Sequence, residues 1–256
     1  MTVEVSIMQK ERMYKDTKTW NPFVGCGYGC IYCKPSFQKV VAWSGRLRDC
    51  QECQTFEPHE HPERLVRIQS DNTVFVCGDG DITFASKEFM ERVFEAMRRD
   101  EKKGRRWLVQ SKNPSCLNQY LSLLPENTYL LTTLETNRND AYEKYSKSPK
   151  PSVRCHDFLD LNWDKKIVTI EPIMDFDLDI FSSWLISIKP KAVFIGYNSH
   201  PKAVPLPEPS WDMVLSLWRI LRRNGIRVLP KEMRREYILK QAYRAYKEVK
   251  DNAKVI

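Results

Sequence analysis

Thr73-Val74-Phe75-Val76-Cys77-Gly78-Asp79-Gly80-Asp81 is a β-branched and aromatic run that ends abruptly in small and acidic residues. Such a run, bounded by turn formers, predicts a buried strand. Downstream, Ser86 has the character of an N-cap, and Phe89, Met90, Val93, Phe94 and Met97 recur on one helical face. Arg106-Trp107-Leu108-Val109 then opens a second run of the first kind. Strand, helix and strand in this order make a unit of parallel sheet with a right-handed crossover.

The same alternation continues outward. Thr128-Tyr129-Leu130-Leu131-Thr132, Lys166-Ile167-Val168-Thr169-Ile170, Ala192-Val193-Phe194-Ile195 and Ile226-Arg227-Val228-Leu229 read as further strands. Between them Cys116, Leu117, Tyr120, Leu121 and Leu124 fall at helical spacing, as do Phe181, Trp184, Leu185 and Ile188. Trp211, Val214, Leu215, Trp218 and Leu221 form the clearest stripe, which Asn224-Gly225 ends. Upstream, Thr19-Trp20-Asn21-Pro22-Phe23 reads as the end of a first strand. The expected fold is α/β, a partial (β/α)6-type TIM barrel in one domain over residues 1–256. An open doubly wound sheet satisfies the alternation as well. Both architectures put functional residues at the C-terminal ends of the strands. Residues 34–71 have little regular pattern and read as an irregular cysteine-containing insertion after the first unit.

At 256 residues and 42% hydrophobic, the chain can bury one large core. No apolar run is long enough for a membrane helix, and the start lacks the basic and apolar regions of a signal peptide. The expected location is therefore the cytoplasm, where eight cysteines argue for metal or cluster binding over disulfides. A net charge of +8 hints at a polyanionic partner. Two runs concentrate it: Arg98, Arg99, Lys102, Lys103, Arg105 and Arg106, then Arg219, Arg222, Arg223, Arg227, Lys231, Arg234 and Arg235. Tyr237, Tyr243 and Tyr246 follow the second. Each run alone is equally a solvated helix end; together with the overall charge they favour nucleic acid as the partner class.

The chemistry concentrates in Gly25-Cys26-Gly27-Tyr28-Gly29-Cys30-Ile31-Tyr32-Cys33, directly after the first strand. Three thiolates spaced C-x3-C-x2-C can hold three corners of a [4Fe–4S] cluster and leave the fourth iron open to a ligand other than protein. A zinc reading competes for the same residues. Cys30-x2-Cys33 followed by Cys50-x2-Cys53 has the spacing of a four-cysteine zinc ribbon, and the chain would then be a non-catalytic nucleic-acid-binding protein. That reading leaves Cys26 and its glycine-rich surroundings without a role. Cys50 and Cys53 with His59 and His61 also have the donors for Zn2+ as Cys2His2, and Cys50 and Cys53 alone would suit a second cluster.

The motif Cys26-x3-Cys30-x2-Cys33 with Tyr32 before the last cysteine resembles that of radical S-adenosylmethionine enzymes. A closer likeness is to the phage Gp37/Gp68 family, also called DUF5131. It is carried by Thr19-Trp20-Asn21-Pro22 with Gly25-Cys26, by Phe56, Pro58 and His61-Pro62-Glu63-Arg64-Leu65, by Ser111-Lys112-Asn113-Pro114 and by Ile170-Glu171-Pro172. Spore photoproduct lyase, a DNA-repair radical enzyme, is similar at a greater distance. The resemblance implies that Cys26, Cys30 and Cys33 ligate the cluster, with S-adenosyl-L-methionine on the fourth iron and Tyr32 against its adenine. Gly78, Asp79 and Asp81 would stand where the superfamily has a Gly-Gly-Glu-like segment contacting the methionyl amine, although neither adjacent glycines nor a glutamate is present. Lys112 would meet the methionyl carboxylate. Glu135, Asn137 and Glu171, at strand ends, would meet ribose or substrate, and Cys77 would give a hydrogen atom to a product radical. The implied reaction releases a 5′-deoxyadenosyl radical, for modification or repair of a nucleic acid or nucleotide, and needs an electron donor. A small-molecule or peptide substrate is not excluded by the charge.

Overall fold

A computed structural model describes residues 17–39, 50–68, 71–100, 104–231 and 233. Seven strands form one wholly parallel sheet: β1 (Thr17–Trp20), β4 (Thr73–Val76), β5 (Arg106–Gln110), β6 (Thr128–Thr133), β7 (Lys166–Ile170), β8 (Ala192–Ile195) and β9 (Arg227–Pro230). They lie side by side in chain order. A two-stranded antiparallel ribbon, β2 (Phe23–Val24) with β3 (His59–Glu60), stands apart from it.

Consecutive strands are neighbours, so every crossover places its helix on the same side. A sheet covered on one face only curls around its bare face, and the result is a half-barrel. Side-chain alternation follows from the pleat. Val74, Val76, Val109, Leu130, Val168, Ile170, Val193, Ile195 and Val228 point into the helix-facing core. Phe75, Leu108, Leu131, Ile167, Phe194 and Leu229 form a separate cluster on the other face, where the hollow of the half-barrel lies.

The helices are α1 (Gln51–Thr55), α2 (Lys87–Arg99), α3 (Pro151–Asp160), α4 (Leu178–Ile188) and α5 (Trp211–Arg223). In α2, Ser86 Oγ accepts from Phe89 N at 3.2 Å, as its N-cap position anticipates. The α2 apolar face is fully buried, and Phe94 meets Tyr120 at 5.1 Å between ring centroids. Burying each such large side chain stabilises the fold by about 1.5–3 kcal/mol. In α5, Ser210 caps Met213 N at 3.3 Å, and Gly225 takes the positive φ of 76° needed to leave the helix. The Cys116–Leu124 spacing folds as a tighter 3-10 stretch over Pro114–Leu123, and α3 is a helix that the apolar pattern did not reveal. Among the described residues no helix is long and apolar enough to cross a membrane.

The sequence anticipates the half-barrel, and the first strand together with β9 brings the count to seven. The insertion is more ordered than its pattern suggests. Its described parts hold a short helix (Lys34–Gln38), α1, β3 and a 3-10 turn at Pro62–Val66. Arg64 and its neighbours dock this segment onto the end of β1. Trp20 Nε1 donates to Arg64 O at 2.9 Å, Arg64 donates to Asn21 O at 2.8 Å, and His61 N donates to Pro22 O at 2.6 Å.

Candidate active site

All seven parallel strands point their C-terminal ends at one rim, and a cavity of about 1030 Å³ opens there. The last inward positions, Thr19, Gln110, Thr133 and Thr169, give its floor polar groups beside Phe75 of the inward-facing cluster. Cys26, Cys30 and Cys33 line one wall, with Tyr32 beside them. None of the three is in a disulfide.

Backbone geometry explains how the loop reaches this wall. Gly25 has φ of 97°, and a Cβ there would meet Glu57 O at 2.1 Å, so only glycine allows the turn. Gly25 N donates to Asp79 O at 3.0 Å and Asp81 N donates to Gly25 O at 3.1 Å, which ties the loop to the acidic turn after β4. Ile31 N donates to Tyr145 O at 3.0 Å and Lys147 N to Tyr28 O at 2.9 Å, so the far side is held by the segment beyond β6.

The surroundings of the thiols are electrically polarised. Ser146 Oγ lies 3.1 Å and Lys112 Nζ 3.5 Å from Cys30 Sγ. Burial pushes the Cys33 thiol up to about 11, and burial followed by the Asp81 carboxylate pushes Cys26 further up. Buried Cys30 and half-buried Cys26 and Cys33, set beside a lysine, suit a cationic metal group, which would hold them as thiolates. The donor set therefore fits three corners of an iron–sulfur cluster.

Beneath Lys112 lies a buried charge network that only the fold assembles. Glu135 is wholly buried; its Oε1 accepts from Lys112 Nζ at 2.6 Å and Tyr32 OH at 2.7 Å, and its Oε2 from Arg154 at 2.6 Å and Tyr142 OH at 3.0 Å. Burial alone would raise the Glu135 carboxyl, but Arg154 and Lys112 outweigh it and hold it far below the usual range. Burial would lower Lys112, but Cys30 and Glu135 beside it outweigh burial and raise it above its ordinary value. Lys112 Nζ also sits 4.7 Å from the Tyr32 ring centroid, a cation–π contact.

Asp81 and Asp79 sit on the rim, each engaged by partners. Asp81 accepts from Thr83 N at 3.1 Å, Ser111 Oγ at 2.7 Å and Lys112 N at 2.8 Å. Burial raises its carboxyl, against the pull of those donors. Asp79 and Asn21 are paired reciprocally: Asn21 Nδ2 donates to Asp79 Oδ2 at 2.5 Å, and Asp79 N donates to Asn21 Oδ1 at 3.0 Å. Gly78 lies against Thr19, whose Cγ2 would be 2.8 Å from an added Cβ. Glu171 lines the opposite wall in an ion pair with Lys231.

Not every residue singled out in the sequence lies on the cavity wall. Glu135 does not line the cavity; it is the buried anchor of Lys112 and Arg154. Asn137 bonds Asp177 through both ends of its amide, at 3.2 and 2.9 Å, and braces a loop instead of facing a ligand. Cys77 is 2% exposed within the helix-facing core and not on the cavity lining, and burial pushes its thiol to about 12. The four-cysteine ribbon is not formed. Among the described residues, the group that converges is Cys50, Cys53, His59 and His61, without Cys30 or Cys33.

The basic runs fare differently from the cysteines. Arg98 and Arg99 end α2 and Arg106 begins β5, while Arg222 and Arg223 end α5 and Arg227 begins β9. In a parallel sheet those are the N-terminal edges, opposite the cavity. Arg105 is buried against Trp107, and its Nε lies 2.8 Å from Asp100. Among the described residues of the second run, Lys231 reaches the cavity. Lys102, Lys103, Arg234, Arg235, Tyr237, Tyr243 and Tyr246 lie outside the described residues. Sequence reasoning missed Ser146, Tyr142 and Arg154. Lys231 was discoverable from the strand-end rule applied to β9.

No protein-family model matches the chain, and no curated protein does. Solved structures do. A double mutant of spore photoproduct lyase with bound AdoMet and dinucleoside spore photoproduct aligns with a TM-score of 0.56 at 8% identity, over 83% of this chain and 75% of that one. A radical SAM methyltransferase from Sphaerobacter thermophilus aligns with a TM-score of 0.52 at 17% identity, over 87% and 68%. SuiB from Streptococcus suis, bound to its precursor peptide SuiA, aligns with a TM-score of 0.54 at 11% identity; the alignment takes 86% of this chain but about half, 49%, of SuiB. The chain thus shares the half-barrel fold of radical S-adenosylmethionine enzymes, with its three-cysteine loop at the rim of that half-barrel.

Proposed function

We propose that this chain is a radical S-adenosylmethionine enzyme acting on a nucleic acid or nucleotide. The observation that carries the reading is the set of three cysteines outside any disulfide, spaced C-x3-C-x2-C, on the wall of a rim cavity in a half-barrel. When bound, a [4Fe–4S] cluster and S-adenosylmethionine would supply a 5′-deoxyadenosyl radical.

The chain's own residues would bind, orient and shield. Cys26, Cys30 and Cys33 would hold the cluster. Protonated Lys112, fixed by Glu135, sets a positive charge beside Cys30 that favours an anionic group there. Tyr32, pinned through its hydroxyl, would offer its ring to the adenine. Gly78 and Asp79 would meet the methionyl amine from the second strand end, with Asp79 kept in place by Asn21. Lys112 would meet the methionyl carboxylate. Glu171 and Lys231 would face ribose or substrate across the cavity. A volume of about 1030 Å³ leaves room for a substrate group beside the cofactor.

What supports a nucleic-acid substrate is the net charge of +8 and the presence of Lys39, Lys231 and His200 around the cavity. The fold it shares with spore photoproduct lyase, solved with a dinucleoside photoproduct, agrees with that class. An external one-electron donor completes the requirement.

The test is anaerobic reconstitution of the full chain, followed by iron and sulfide analysis and a search for 5′-deoxyadenosine after adding S-adenosylmethionine and a reductant. Bound iron with 5′-deoxyadenosine formation is the expected result. Absence of iron, or iron retained unchanged by Cys26→Ala, overturns the reading. For the substrate, binding of DNA or RNA oligonucleotides should weaken steeply with salt; a flat salt series counts against nucleic acid.

A further inference from the structure

We propose that Cys50, Cys53, His59 and His61 form a closed Cys2His2 zinc site that braces the loop bearing Cys26. The four donors come from twelve consecutive residues, and local structure brings them together. Cys50 is the N-cap of α1 and Cys53 lies three residues on, so both thiols share one side of the first turn. His59 and His61 are two apart on an extended segment, so both rings leave from one face. Phe56, with φ of 62°, reverses the chain between the two pairs.

The four ligand atoms all lie within 4.8 Å of one another. His59 Nε2 is 3.4 Å from Cys50 Sγ and 3.2 Å from Cys53 Sγ, His61 Nε2 is 3.3 Å from Cys53 Sγ, and the two Nε2 atoms are 2.8 Å apart. Zinc–sulfur bonds of about 2.3 Å and zinc–nitrogen bonds of about 2.0–2.1 Å give a tetrahedron with edges of roughly 3.3–3.8 Å. The observed edges approach that size with no ion to set them.

A second observation points the same way. His59 Nδ1 lies 2.7 Å from Glu57 O, and His61 Nδ1 lies 2.8 Å from Glu63 Oε1. Both acceptors hold the imidazole proton on Nδ1, so both Nε2 lone pairs turn toward the common centre. Two facing lone pairs 2.8 Å apart repel unless a cation lies between them. Two thiolates and two imidazoles select zinc by donor type, and four protein ligands leave no open position. The site is therefore structural, and Cys50 and Cys53 are not ligands of a second cluster.

Its mechanical role follows from the β2–β3 ribbon. His59 pairs with Val24, and Cys26 N donates to Phe56 O at 3.4 Å. Val24, Cys53 and Phe56 form a small buried cluster of their own, with Cys26 and Cys50 packed on it. Gly25 passes close over Glu57 O. The metal knot thus lies behind the loop that starts the C-x3-C-x2-C run and fixes the backbone against which it turns. The zinc assignment stands without the cluster reading; only the brace rests on it.

Metal analysis of the full chain, purified anaerobically without added zinc, tests this. Expected are one zinc per chain in the wild type, trace zinc in Cys53→Ala and in His61→Ala, and full zinc in Cys26→Ala even as its iron is lost. Cobalt(II) in place of zinc should give tetrahedral d–d bands with thiolate charge transfer. Should the alanine variants fail to fold, His59→Cys keeps four ligands and should retain metal with stronger charge transfer. A soluble wild type without zinc, zinc retained by Cys53→Ala or His61→Ala, or no tetrahedral cobalt spectrum overturns the site. Removing zinc with a chelator should quicken iron loss from the reconstituted protein; unchanged iron loss overturns the brace and leaves the zinc site standing.

Discussion

The two sulfur-rich regions of this chain, separated by fewer than twenty residues, differ in how their donors face. Cys26, Cys30 and Cys33 spread along the wall of an open cavity, while Cys50, Cys53, His59 and His61 converge on a single point. The first set has three donors and faces a large cavity; the second has four and lies outside that cavity's lining. Incompleteness beside a cavity is what a reactive centre needs, because a further ligand must come and go. Closure is what a structural centre needs. The same residue type therefore carries opposite assignments according to its surroundings.

The largest expected effect separates the two regions chemically. Alanine at Cys26, Cys30 or Cys33 should abolish 5′-deoxyadenosine formation to background and strip iron, with zinc unchanged in elemental analysis. Parallel loss of both metals from every variant would break the distinction.

Next comes the charge network under the open site. Glu135→Gln leaves Lys112 and Arg154 buried beside a neutral amide, and breaking such an arrangement costs about 3–5 kcal/mol in denaturant unfolding. Its pH dependence has a definite sign. The folded Glu135 carboxyl is held below its unfolded value, so its stabilisation is complete above the ordinary glutamate range, about 4.3. It is lost as pH falls toward the folded value. Urea titrations from pH 6 downward should show a shallower acid decline in Glu135→Gln than in the wild type.

A smaller effect links the regions. Gly25→Ala forces a side chain into a φ of 97° and against Glu57 O, a strain of about 1–3 kcal/mol. The loop should shift away from the zinc knot, and iron retention during gel filtration should fall while zinc stays bound. Smallest is Lys231→Ala. The Lys231–Glu171 pair is only partly buried, and its removal should change unfolding free energy by no more than about 1 kcal/mol. Its signature should appear in S-adenosylmethionine or substrate affinity, read by equilibrium binding.

Much of the scaffold was legible. Runs such as Thr73–Val76 and Lys166–Ile170 are strands because every position is buried and β-branched or aromatic residues suit that setting. The Trp211–Leu221 stripe is a helix because its period matches 3.6 residues. Helix α3 escaped because its pattern is mixed, with Val153 and Leu159 facing outward and Arg154 facing inward. The candidate site was legible only where ligands are close in sequence. Cys26, Cys30 and Cys33 are within eight residues, whereas Glu135, Arg154 and Tyr142 meet Lys112 and Tyr32 across gaps of up to 122 positions, from Tyr32 to Arg154. The basic runs gave no placement, because charge counts carry no direction. Arg106, Arg222 and Arg223 are clustered in sequence, yet they sit at the end of the sheet remote from the cavity.

By itself the sequence determined the alternation of a parallel α/β sheet and the three-thiol loop, since periodicity and short spacing are local properties of a chain; the strand order that makes it a half-barrel came from the structure. Tertiary structure alone decided that Glu135 is an anchor and Cys77 a core thiol. It also brought Cys50 and Cys53 to His59 and His61, away from Cys30 and Cys33. Those outcomes depend on which way side chains turn once the pleat, the Gly25 turn and the β2–β3 ribbon are in place, and spacing along the chain does not encode direction.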